Sequence, residues 1–431
     1  MHLKTRNVNT AFKTLVELFQ EGRIEANPDR PSRVMAEHIE APIVRRPSRN
    51  GHVMVIDEPV TITYTHPRER VLFNAARDAN PFFHMYESLW MLAGRNDVAP
   101  LAYYASRMKE FSDDGKTFNG AYGYRWRHAA GGSTNSEYPG QPSRYDQLYV
   151  IVNHLKADPN SRRAVLQMWN VEDDLLKIGR KSVECDRCKR FKHLAQYDEG
   201  RCECQQAVAG SKDVCCNLSV MFSLREPKVN VHGYADKYLD ITVTNRSNDL
   251  IWGCLGANFV HFSFLQEYMA AQLGAEVGKY HHFSNNLHVY DDPGNPKVAP
   301  WRPEEWLAAE NPNALSCNGN ALSCNGGYGW DIGAVNPEKT VPFVRDPETF
   351  EQELPNFVRL HDGSGYYGHP VHHSEKVWDE PFLETVARPM LNAFHLHKIK
   401  AYDNALAWAG RIRADDWRTA AEGWLNRRRK K

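Results

Sequence analysis

At 431 residues the chain can bury a substantial core, and its length fits two or three domains or one large α/β domain with insertions. Its 53 basic residues balance 53 acidic ones, which excludes the overall positive field of a non-specific nucleic-acid binder and points to a small anion held locally. No apolar run approaches a membrane span, and MHLKTRNVNTAFKTL lacks the apolar core and cleavage site of a signal peptide, so the cytosol is the expected compartment. There, nine cysteines suit metal ligation or nucleophilic chemistry better than a disulfide framework.

Residues 1–45 combine a helical pattern (Ala11, Leu15, Leu18, Phe19) with a Pro- and Arg-rich connector, and are expected to form a lead-in. HVMVIDEPVTITY, from 52, alternates and predicts two strands joined near Glu58-Pro59. PFFHMYESLWMLAG (81–94), apolar all round between a Pro and a Gly, predicts a buried helix that carries Glu87. An amphipathic helix is expected over 145–156, strands over 164–169, 217–224 and 239–245, and a long helix over 259–273. Two segments have the character of insertions: a polar one at 180–213, and NALSCNG repeated in tandem at 313–326, a loop expansion rather than a solenoid repeat. Beyond Pro342 the chain is helical and Trp-rich. A single final helix is expected from Asp403, ending in a basic tail best understood as a solvated charged terminus.

Several constellations carry chemistry. Arg162 and Arg163 stand together before a strand, and paired guanidiniums there suit a phosphate, although a surface arginine pair is more often solvated. NRSND sets Arg246 beside the Ser247 hydroxyl at a strand end, and SRNG holds Arg49 in a Gly-containing turn. In DVCCN the thiols of Cys215 and Cys216 are adjacent at a strand entry, so only one can face a given pocket; burial as small hydrophobes is the alternative. Nearby positive charge would make one of them a nucleophile.

The ordered set SRNG (48–51), ESLWMLAG (87–94), GAYGYRWR (120–127), DQL (146–148), SRRAVLQMWN (161–170), CN (216–217), NRSND (245–249), the Asn258 helix and LHVY (287–290) resembles the thymidylate synthases and their deoxynucleotide (dUMP or dCMP) hydroxymethylase relatives. The resemblance spans about 49–290. It implies an α/β (α+β) three-layer fold with a mixed, twisted sheet at a homodimer interface, in a catalytic domain over 46–290; it says little about 291–431, a C-terminal extension that its own pattern makes partly helical. It further implies that Cys216 adds to C6 of the pyrimidine, since C5 is a poor nucleophile until the ring becomes an enolate. By the same resemblance Arg49, Arg246 and Ser247 hold the 5′-phosphate together with Arg162 and Arg163 from the opposite subunit. Glu87 manages protons through ordered water, its carboxyl expected to be raised in an apolar helix. Tyr122 lies near the reacting carbon, His288 and Tyr290 hold the ribose, and Asp249 contacts 5,10-methylenetetrahydrofolate.

Asn258 selects the base. A carboxamide donates to O4 and accepts from N3–H of uracil, whereas the cytosine-modifying relatives carry Asp there, so dUMP is the expected substrate. The segment between Asp249 and Asn258 is one residue longer than the synthase pattern. Asn217 replaces the histidine that follows the nucleophile in synthases, and LNRRRKK replaces their apolar C-terminus; both point to a wet site and to hydroxymethylation, with thymidylate synthesis as the alternative. The Cys216-Asn217 pair and the helix from Asn258 resemble viral members most, which implies the cytoplasm of a host cell. Cys185, Cys188, Cys202 and Cys204, around His193, suit a structural Zn²⁺ in the polar insertion, with free thiols in a loop as the alternative. A different class of protein, a non-catalytic zinc-containing RNA-binding regulator, gains nothing from the zero net charge.

Overall fold

The alternating run around Glu58-Pro59 divides between two sheets in the computed structural model, which describes residues 1–25, 32–36, 39–48, 51–130, 144–175, 183–184, 191–192, 213–226, 237–291, 301–309, 341–364 and 377–429. The chain opens with β1 (His2–Thr5), α1 (Val8–Glu25), β2 (Ser32–Ala36) and β3 (Ile39–Ser48). Strands β4 (Gly51–Ile56) and β5 (Val60–Tyr64) then flank the expected turn. Helices α2 (Pro81–Leu92), α3 (Val98–Tyr104) and α4 (Tyr122–Arg127) lead to the short pair β6 (Ala129–Ala130) and β7 (Arg144–Tyr145), α5 (Gln147–Ala157), β8 (Val165–Gln167) and a second short pair, β9 (Val183–Glu184) and β10 (Phe191–Lys192). Next come β11 (Asn217–Arg225), β12 (Tyr238–Asn245), β13 (Asn248–Asp249), α6 (Asn258–Leu273), β14 (Glu276–Ser284) and β15 (Leu287–Tyr290).

The larger sheet is mixed and runs β1-β5-β14-β12-β11-β8; the smaller runs β13-β15-β4-β3-β2. β1 pairs in parallel with β5, and Val8, Ala11, Phe12, Leu15, Val16, Leu18 and Phe19 of α1 are fully buried, so the expected lead-in contributes a strand and a core helix to the main body. Helix α6 is buried from Phe259 to Ala270, as an all-round apolar pattern requires, and packs on the larger sheet and on α2. The segment before it, Leu250–Ala257, forms a π-helical turn broken at Gly256.

The C-terminal part supplies α7 (Pro303–Ala308), α8 (Pro347–Leu360), α9 (Arg388–Lys398), α10 (Tyr402–Ala409) and α11 (Asp415–Arg429). The single final helix expected from Asp403 is therefore two, parted at Gly410–Ala414, where the Arg413 N–H donates to the Thr385 carbonyl and Asp415 and Asp416 open a new N-terminus. Of the expected solvated tail, the described residues Arg427 and Arg428 are docked, while Arg429 makes an exposed ion pair. Arg427 and Arg428 reach Asp78, at 3.0 and 2.6 Å, and Arg429 reaches Asp403 at 2.8 Å. Asp78 has φ +50°, a left-handed conformation that Asp tolerates better than most side chains, and lies just ahead of α2.

Asp416, in the first turn of α11, gives the fold a pH dependence. Burial pushes its carboxyl up to about 6, against the lowering effects of the Trp417 N–H and Arg70. A carboxyl raised on folding adds stability below its unfolded value near 4, and that stability is lost as pH rises through about 6. Asp416→Asn should therefore stabilise the protein by about 2 kcal/mol at pH 7.5 and have little effect at pH 4.5. Thermal unfolding at both values checks this, and equal shifts in Tm would refute it.

Candidate active site

The nucleophile loop is tied down on both sides. Arg125 of α4 forms an ion pair with Asp174, whose Oδ1 accepts the Cys215 N–H at 3.2 Å. Asp213 accepts the N–H groups of Asn119 and, at 3.1 Å, Gly120. A Cβ on Gly120 would stand 2.8 Å from the Asp213 carboxylate, so this approach requires glycine. The two thiols differ sharply. Cys215 is buried, its Sγ donates to the Gly120 carbonyl at 3.4 Å, and burial pushes its thiol far above the ordinary range. Cys216 is half-buried, with an Nη of Arg246 3.8 Å from its Sγ.

Arg246 is fixed by its own turn. Its backbone N–H donates to the Cys216 carbonyl at 2.9 Å, its Nε donates to the Cys215 carbonyl at 2.8 Å, and its guanidinium lies 5.5 Å from the Trp169 ring centre. Ser247 follows it, half-buried. Arg162 and Arg163 are exposed at the mouth of edge strand β8, and among the described residues no hydrogen bond or ion pair joins them to Arg246. Arg49 lies outside the described residues, as do Cys185, Cys188, Cys202, Cys204 and His193. Among the described residues no group of three His, Cys, Asp or Glu side chains could hold a metal ion.

Tyr122 meets the thiol from the first turn of α4. Its ring stacks on Phe262 at 5.9 Å, and burial, followed by the charge of Cys216 and Cys215, pushes its phenol well above the usual value. The phenol stays protonated and remains a donor. Next to Phe262, His261 points back toward α2, where its Nε2 comes within 3.0 Å of Glu87 Oε2. That approach is misaligned: Glu87 Oε2 and both His261 ring nitrogens are buried with no hydrogen-bond partner among the described residues. On the same helix as Glu87, His84 is held near 3 by burial, then by His261 and Arg77, and is therefore neutral. Sequence reasoning missed His261; its signal was the one titratable residue inside the mostly apolar run NFVHFSFL.

On the smaller sheet, Asp249 and His288 are register partners across β13 and β15. Burial pushes the Asp249 carboxyl up and the His288 ring down, so both lean toward their neutral forms. His288 Nδ1 is 2.9 Å from Asn286 Oδ1, and its ring meets Tyr290 edge-on at 5.4 Å. Asp249 also accepts the Trp252 N–H; the Trp252 indole is 48% exposed and carries the Arg77 guanidinium 4.7 Å from its ring centre. Asn258 opens α6 and donates from Nδ2 to Asn248 Oδ1 at 3.2 Å.

This geometry has counterparts among known proteins. The family model described as thymidylate synthase matches residues 76–296. A deoxyuridylate hydroxymethyltransferase of Pseudomonas phage M6 is 38% identical over 432 residues, 99% of this chain and 94% of the phage protein. One from Bacillus phage SP01 is 38% identical over 240 residues, 56% of this chain and 51% of its own. Thymidylate synthase of Streptococcus mutans is 26% identical over 178 residues, 40% of this chain and 50% of that protein. The likeness to the phage M6 protein runs through the segments before and after the matched core as well as through the core itself, and on these matches the chain belongs to the thymidylate synthase family.

Proposed function

We propose that this chain is a deoxyuridylate hydroxymethyltransferase, carrying a one-carbon unit from 5,10-methylenetetrahydrofolate to C5 of dUMP and finishing with water. Cys216 adds to C6 as a thiolate beside Arg246. The resulting enolate takes up the methylene group from the folate at C5, C5 loses its proton, and tetrahydrofolate departs to leave an exocyclic methylene. Water then forms the C–O bond, its proton passes to the Glu87 side of the pocket, and the C6–S bond breaks to restore the ring. Tyr122, a protonated donor next to the thiol, assists proton movement at C5. Arg246 and Ser247 take the 5′-phosphate together with Arg49, His288 and Tyr290 take the ribose, and Asn258 reads the base. The half-buried Asp249 carboxyl, which accepts the Trp252 N–H, and the exposed Trp252 indole fit the flat, hydrogen-bonding ring of a folate.

One observation carries the choice of water over hydride. Glu87 Oε2, both nitrogens of His261 and Asn217 Oδ1 are buried without partners among the described residues. Buried polar atoms of this kind are costly in a dry pocket and are satisfied by ordered water. The full-length likeness to a phage protein named for hydroxymethylation agrees with this. Reaction with dUMP and methylenetetrahydrofolate should yield a product 16 mass units heavier than dTMP and no rise in absorbance from dihydrofolate. Dihydrofolate appearing in step with dTMP would instead make the chain a thymidylate synthase.

A homodimer completes this reading. Val165 and Met221 are cross-strand partners on the larger sheet and each is 41% exposed, an apolar surface suited to a second copy that would bring Arg162 and Arg163 to the neighbouring phosphate. Among the described residues no helix is long and apolar enough to cross a membrane.

A further inference from the structure

A carboxamide can read either pyrimidine. With its nitrogen at O4 and its oxygen at N3–H it matches uracil; rotated by half a turn it accepts from the C4 amino group and donates to N3 of cytosine. The identity of Asn258 therefore does not by itself choose the base. Something must fix its rotation.

The fixed point is a backbone carbonyl, which can only accept. Asn245 Nδ2 donates to the Phe283 carbonyl at 3.2 Å, so its oxygen faces the other way and accepts from Asn217 Nδ2 at 3.1 Å. The same Asn245 nitrogen lies 3.0 Å from His282 Nε2, which makes that ring nitrogen an acceptor and puts the proton on Nδ1, 2.8 Å from the Tyr280 hydroxyl. His282 is fully buried, and burial holds its ring down to about 3, so it stays neutral. Asn248 Nδ2 in turn approaches His282 Nε2 at 2.6 Å, which turns Asn248 Oδ1 toward Asn258 and obliges Asn258 to answer with its nitrogen, at 3.2 Å. The Asn258 oxygen is then left for N3–H. Strand register explains the assembly: Tyr280, His282 and Ser284 share the inward face of β14, and Asn245 pairs with both Asn217 and Ser284. Gly253 seals the junction, because a Cβ there would stand 2.2 Å from Asn248 Oδ1 and 3.2 Å from Asn258 Nδ2.

We infer that His282 is a specificity-determining positioning residue, which locks the Asn258 carboxamide in the uracil-reading rotation through Asn248 and never touches the nucleotide. The inference rests on dUMP as substrate and adds what enforces it. Titration calorimetry on the full chain with dUMP and with dCMP tests both, since binding needs no turnover. Wild type should prefer dUMP. His282→Leu removes the acceptor at similar volume and should lower the dUMP-to-dCMP affinity ratio about tenfold or more, while His282→Gln, which can offer an oxygen acceptor, should restore most of it. Gly253→Ala breaks the same junction from the other side and should also lower the ratio, giving a second reading should the leucine variant fold poorly. A ratio unchanged in the folded variants overturns the inference and leaves the dUMP reading standing. Wild-type protein that prefers dCMP, or binds neither nucleotide, overturns both.

Discussion

Cys216→Ala protein should release tritium from [5-³H]dUMP at no more than about one ten-thousandth of the wild-type rate in the presence of methylenetetrahydrofolate, while Cys215→Ala keeps activity within about tenfold. The asymmetry follows from where each sulfur lies. Cys215 is packed in the core with its thiol spent on the Gly120 carbonyl, and burial pushes it far toward the neutral form, so it cannot supply a thiolate near neutral pH. Its replacement costs a small buried volume and some local order. Cys216 is more open and has a guanidinium within 3.8 Å of the sulfur, the one arrangement of the two that favours the charged nucleophile. Because C5 gives up its hydrogen only after C6 is saturated and the methylene group has joined C5, tritium release requires the thiolate addition and is indifferent to whether hydride or water finishes the reaction. Activity surviving in Cys216→Ala but lost in Cys215→Ala would show that the loop presents the other thiol.

What could be read in the chain was whatever depends on local pattern. Pro81 and the apolar helix that follows are visible because a buried helix repeats its chemistry along ten residues; the Asn80 cap, accepting from the Phe82 and Phe83 N–H groups, is equally local. The motif order around Cys216, Arg246 and Asn258 revealed the family for the same reason. The lock behind Asn258 was hidden because it joins Asn217, Asn245, Asn248 and His282, from four strands, and only register brings them together. A signal was present in KYHHFS: alternation puts Tyr280, His282 and Ser284 on one face, too many polar groups for an inward face unless they serve one another. His261 was hidden differently, since a single histidine in an apolar helix is more often a satisfied core residue, and only the opposing Glu87 makes it informative.

The C-terminal segment gave the least warning, because its partners lie hundreds of residues away. Arg427 and Arg428 hold Asp78, and the next residue back, Arg77, covers the Trp252 indole and donates to the Ile251 carbonyl at 3.2 Å. A tail that composition assigns to solvent thus braces the wall beside Asp249. Trp424 of the same helix meets Phe82 edge-on at 5.3 Å, at the start of the helix bearing Glu87.

The strongest of these long-range ties should also be the most damaging to cut: Glu267→Ala is expected to destabilise the protein by about 3–5 kcal/mol, read as a lower urea midpoint. Glu267 is buried on α6 and receives the buried Arg70 guanidinium, Arg68 at 3.3 Å and the Phe343 N–H at 3.1 Å. Burial alone would raise its carboxyl, but the two arginines and the N–H outweigh it and hold the group ionised below the usual range. Removing the carboxylate strands a guanidinium that stacks 4.1 Å from the Phe264 ring centre and whose Nε already lacks a partner among the described residues. An uncompensated buried charge is far more costly than the loss of one hydrogen bond. The double variant Arg70→Met, Glu267→Met removes both charges at similar volume and should recover most of the stability, which separates the cost of the stranded charge from the cost of lost packing. Since Asn258 and His261 sit at the opposite end of α6, the single variant should also weaken dUMP binding below the midpoint, where the helix is still folded but no longer anchored. A Glu267→Ala protein as stable as wild type would mean that the Arg70 charge finds water or another partner, and that the C-terminal extension does not anchor this helix.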